Sequence, residues 1–144
     1  VRCVEKFDRY AFAEQAILMF LAALAIVTGL MMLSTPDFVV LHSHTYNYLS
    51  QLITVEIWAW LFILNGILYV IAMLINDELK AKMVLFIIAG TIGTALWFLF
   101  ATAGYEAIRS STSYGRSYVI GVFNLLTAFV GGVELWRSVK KKST

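Results

Sequence analysis

Polar and apolar positions divide the chain into four long apolar runs, residues 15–33, 52–75, 83–104 and 117–136, separated by short polar segments. Each run is about nineteen residues or longer, enough for a helix to cross the ~30 Å hydrocarbon core of a bilayer. None carries the polar outer face of a helix in a soluble bundle, and none alternates over segments of about ten residues like a membrane β-barrel. The pattern predicts an all-α integral membrane protein, a four-transmembrane-helix bundle with short loops in a single domain spanning residues 1–144. Ser34, Thr35 and Pro36 end the first span, because proline cannot continue a helix and restricts the residue before it. Part of the following loop could extend the second span as helix from about Thr45. The charged turn at 76–82 is short, so spans two and three form an antiparallel hairpin. In residues 1–13, Val4, Phe7, Tyr10 and Ala11 recur at helical spacing among Arg2, Glu5, Lys6 and Arg9. That spacing fits an interfacial amphipathic helix leading into span one, or a plain charged lead.

Within the runs, small and polar residues are not scattered. In span four, Ser117, Gly121, Asn124, Ala128 and the pair Gly131/Gly132 recur every three or four positions and fall on one stripe. Helices in lipid associate by close backbone approach across small residues and by interhelical hydrogen bonds. The stripe is therefore a packing seam with an amide at its midpoint. Span three has a second small face, Ala89, Gly90, Gly93 and Thr94, and span one a narrower one, Ala22, Ala25 and Gly29. Three small faces in a bundle this size predict a homo-oligomer or a subunit of a larger membrane complex.

Composition agrees with this class: 60% of residues are hydrophobic and 14% charged, against roughly 45–50% and 25% in soluble domains. The net charge of +2 matters less than its distribution. Arg2, Lys6, Arg9, Lys80, Lys82, Arg137, Lys140, Lys141 and Lys142 belong to one side of a four-span topology; only Arg109 and Arg116 belong to the other. The positive-inside rule then places both termini in the cytoplasm, in what reads as a bacterial inner membrane. A mixed-charge segment precedes the first run and no small-residue cleavage site follows it, which does not fit a signal peptide. Residues 137–144 form a basic tail whose Lys140, Lys141 and Lys142 suit anionic lipid head groups. Three lysines on a membrane protein do not make a nucleic-acid site.

Ionisable groups inside a span are functional candidates by default. Glu56 lies about one turn into span two. Ala59, Ile63, Gly66 and Val70 fall within about 80° of it, so helical periodicity turns Glu56 toward the bundle. With Trp58 and Trp60 it is the candidate ion or substrate site; the alternative is an interfacial carboxylate beside an aromatic belt, paired with Arg109 or Arg116. Asn65, nine residues on, points the opposite way, toward a neighbouring helix or subunit. Asn65 and Asn124 read as interhelical hydrogen-bonding groups. His42 and His44 have only Asp37 nearby, short of the three or four ligands a metal site uses. No nucleophile–base set, phosphate loop or cofactor fingerprint is present, so neither an enzyme nor a cofactor is expected.

The segment from Trp97 through the polar loop to Tyr118, Asn124 and Trp136 resembles small four-span membrane proteins found in phage genomes. The basic Lys140–Lys142 end is similar to that of holins. The resemblance covers about forty residues and implies an oligomeric pore-forming or membrane-assembly protein of phage origin. Two alternatives stay open: a small ion transporter or channel using Glu56, and an immunity or exclusion factor that binds another membrane protein.

Overall fold

The computed structural model describes residues 9–34, 43–75, 79–107 and 113–140. It contains five helices and, among the described residues, no strand: α1 (Arg9–Leu33), α2 (His44–Leu52), α3 (Val55–Leu74), α4 (Leu79–Ala107) and α5 (Ser113–Lys140). Four helices are long and apolar enough to cross a membrane, over Ala13–Leu33, Val55–Leu74, Leu79–Tyr105 and Tyr114–Lys140. The chain is an all-α integral membrane protein.

The described parts of the polar segments between spans are largely helical too. Lys80 and Lys82 of the expected turn lie in the first turns of α4, and Tyr114 to Arg116 of the expected loop lie in α5. Arg9 to Ala13 belong to the same unbroken helix as span one rather than to a separate surface helix; residues 1–8 lie outside the described ones. Nothing between Arg9 and Ala13 would break a helix, since the stretch contains neither glycine nor proline.

The loop after α1 departs from the sequence reading in a different way. His44–Leu52 is helical, yet it does not extend the second span. Ile53 is extended (φ −151°, ψ 159°) and Thr54 has ψ 148°, so α2 ends and α3 begins anew at Val55. A run of three β-branched residues, Ile53 to Val55, supplies the break without glycine or proline. The indole N–H of Trp58 then donates to the Leu49 carbonyl at 3.2 Å, fastening α2 to α3.

The spans pack most extensively as α4 on α5 and α1 on α3, and α3 against α4 joins the two pairs. Small residues set the first two contacts. A Cβ added to Gly66 would stand 2.9 Å from the Ala22 carbonyl oxygen; one added to Gly29 would stand 2.6 Å from Ile63 Cγ1. Gly90 is held as tightly against α5, where an added Cβ would stand 2.6 Å from both the Asn124 carbonyl oxygen and the Ala128 nitrogen. Such approaches maximise dispersion contact, a principal attraction between helices in lipid. At the α2 end, Phe62, Trp97 and Phe100 meet edge to face, with ring centroids 5.1 to 6.2 Å apart. At the other end, Glu14 of α1 pairs with Lys82 of α4 at 2.7 Å.

Candidate functional site

Polar side chains inside the bundle collect at one place, where α3, α4 and α5 meet. Asn65 and Tyr69 are four residues apart on α3, hence on one face, and only 1% and 0% exposed. Asn124, 0% exposed, faces them from α5. Gly93 of α4 lies at the point where these side chains converge.

The hydrogen bonds are specific. Asn124 Nδ2 donates to the Ile120 carbonyl of its own helix at 2.8 Å, leaving Oδ1 free to accept from elsewhere. The Tyr69 hydroxyl donates to that Oδ1 at 2.7 Å, which ties α3 to α5, two spans far apart in sequence. Thr94 donates to the Gly90 carbonyl at 2.6 Å and lies 3.5 Å from the Gly121 carbonyl oxygen of α5. Asn65 is different: neither amide atom has a hydrogen-bond partner among the described residues. A Cβ on Gly93 would collide with Asn124 Oδ1, stand 2.7 Å from Asn124 Cγ and 2.9 Å from Asn65 Nδ2. Glycine at 93 is what allows both amides into the space above α4. An unpaired amide in hydrocarbon is costly, so Asn65 is a point of local frustration beside a satisfied bond. None of these groups is a carboxylate, imidazole or thiol, so the cluster offers hydrogen bonding rather than proton transfer near neutral pH.

The small stripe of α5 lies against α4: Ser117, Gly121, Asn124 and Gly131 are buried and Ala128 is half-buried. Gly132 is half-buried, but apart from its own helix backbone no described residue comes within 4 Å of its Cβ position. The small faces of α1 and α4 are likewise occupied within the chain, Gly29 against α3 and Gly90 and Gly93 against α5. They are therefore not spare surface for a second copy. Asn65 points into the same chain's α4 and α5.

Glu56, Trp58 and Trp60 do not come together. Trp58 is buried and bonded to Leu49, whereas Trp60 is 61% exposed. Glu56 is exposed in the first turn of α3, contrary to the bundle-facing orientation expected from its stripe. Ala59 and Gly66 of that stripe are buried, while Val70 is exposed; the buried side of α3 is divided between α1 and α4 and does not reach Glu56. At a helix N-terminus the carboxylate faces free N–H groups and the positive end of the dipole. Arg116 forms no ion pair with it among the described residues, and Arg109 lies outside them.

His44 is exposed at the start of α2, and His42 lies outside the described residues. The Lys140 ammonium stands over the Trp136 ring, 5.4 Å from its centroid; Lys141 and Lys142 are outside the described residues. Sequence reasoning missed Tyr69, although its spacing from Asn65 was the available signal. It also missed the Glu14–Lys82 pair, whose members are 68 positions apart (82 − 14) and carry no local signature. No family model, curated protein or solved structure matches the chain.

Proposed function

We propose that the protein is a membrane-assembly element of the pore-forming, holin-like kind, acting by association of whole bundles in a bacterial inner membrane with the basic end in the cytoplasm. The observation that carries this reading is a notch on α5. Gly132 is open, and exposed Leu125, Phe129 and Trp136 lie within about 60° of it around the helix. A glycine between two exposed aromatic rings lets a second helix approach closely, as small residues do at helix interfaces in lipid. The span carrying the notch is also the least covered, with 22% of its most apolar stretch buried against 33–39% for the others.

Conduction through a single bundle has less support. Its interior is filled by aromatic rings and by the Tyr69–Asn124 bond, and Glu56 lies outside it. A lesion on this reading forms between bundles. The test is Gly132→Leu, with native mass spectrometry of the detergent-solubilised protein and dye release from liposomes. Oligomers and dye release are expected from the unmodified protein and a marked loss of both from Gly132→Leu. Monomers alone, or unchanged oligomers in the variant, would refute the reading.

A further inference from the structure

Around the bundle, α1 packs on α3, α3 on α4 and α4 on α5, but α1 and α5 do not close the ring with a comparable contact. A gutter remains between them. It holds a cavity of about 340 Å³ lined by Glu14, Ile17, Leu18, Phe86, Leu126 and Val130, among others. A second hollow of about 280 Å³ shares Ile17 and Phe123 with it and extends it along α1 past Phe20.

We propose that this gutter is a binding site for one acyl chain of an anionic phospholipid, with the head group at the basic end. Three observations select that occupant. The walls are large branched and aromatic side chains, with no glycine and a single alanine, Ala16, so the gutter lacks the small residues that let a helix backbone dock. A flexible chain needs no such approach. Thr127, the one hydroxyl in the wall, is already bonded to the Phe123 carbonyl at 3.0 Å and offers no donor to a polar partner.

The third observation is charge at one end only. Glu134 and Arg137 continue the α5 face that carries Phe123, Thr127 and Val130, which puts a guanidinium just beyond the gutter. Lys82, paired with Glu14, stands at the same end with its ammonium 5.6 Å from the centroid of the Phe86 ring. Lys80 is exposed there as well. Arg137 is paired with Glu134 at 2.8 Å as Lys82 is with Glu14, so Lys80, Lys82 and Arg137 face two carboxylates among the described side chains, and the one excess cation suits a phosphate diester. The gutter lies more than about 60° around α5 from the Gly132 notch, so this site is independent of whether bundles associate.

The test is native mass spectrometry of the protein reconstituted with dioleoyl phosphatidylglycerol or dioleoyl phosphatidylcholine. One phosphatidylglycerol should be retained per chain, about fivefold more than phosphatidylcholine, the preference expected from a single cation at the surface. Leu126→Trp fills the gutter and should abolish retention, while Leu64→Trp, on the exposed side of α3, should leave it unchanged. Arg137→Gln leaves the gutter intact and should bring the two lipids level. Equal retention of both lipids by the unmodified protein, retention unchanged by Leu126→Trp, or an undiminished preference in Arg137→Gln would each overturn the proposal. Should Leu126→Trp fail to fold, the lipid preference and Arg137→Gln decide it.

Discussion

The α1/α3 seam and the α4/α5 seam are built from the same small residues yet are held differently. Gly29, Ala59 and Gly66 bring α1 and α3 together through apolar contact, and no side-chain hydrogen bond is seen across that seam among the described residues. At α4/α5 the close approach of Gly90 and Gly93 serves a second purpose, since it opens space for Asn124, and Tyr69 reaches across from α3 to bond it. Close packing suffices to hold two helices side by side. Fixing which face of a third helix meets them takes a directional bond, and the phenol–amide bond supplies it. The contrast explains why one amide is satisfied and its neighbour is not: Asn124 has a partner on another helix, whereas Asn65 only shares its space.

Breaking the polar seam should have the largest effect. Gly93→Leu places side-chain atoms where Asn124 Oδ1 lies, so it must expel the amide and break the Tyr69 bond. Overpacking and the lost bond together should cost about 3 kcal/mol or more, read as a fall in reversible unfolding free energy in detergent. Gly66→Leu tests the apolar seam. The Ile26 side chain against Gly66 can move, the Ala22 carbonyl cannot, and no hydrogen bond is lost. A cost of about 1–3 kcal/mol is expected in the same assay. If Gly66→Leu proves the more damaging of the two, the polar seam is not the stronger constraint.

A finer comparison sets the two amides against each other. Asn124→Leu removes the amide oxygen that accepts from the Tyr69 hydroxyl and should cost about 1–2 kcal/mol. Asn65→Leu removes an amide with no partner among the described residues, so stability should hold within about 0.5 kcal/mol or rise. Equal losses from the two substitutions would mean that Asn65 is bonded in the membrane.

Much of this arrangement was legible in the sequence. Run length gave the four spans, and helical periodicity gathered Ser117, Gly121 and Asn124 on the face that meets α4. The same periodicity put Asn65 opposite Glu56, but it could not say which helix either one faced. That depends on how α3 divides its surface between α1 and α4. Trp58 and Trp60 look alike as an aromatic belt, and only the break at Ile53–Thr54, with Leu49 brought over Trp58, separates the buried ring from the exposed one. The gutter between α1 and α5 was illegible for the same reason, being a property of spacing between helices far apart in the chain.

The central claim is that the Tyr69–Asn124 bond ties α3 to α5 through the space Gly93 leaves. A double-mutant cycle of Tyr69→Phe and Asn124→Leu, measured by reversible unfolding in detergent or bicelles, tests it most directly. The predicted coupling is about 0.6–1.7 kcal/mol, the range of interhelical hydrogen bonds in membranes, with the double variant less destabilised than the sum of the singles. Additive losses, with coupling within about 0.3 kcal/mol of zero, would contradict the claim.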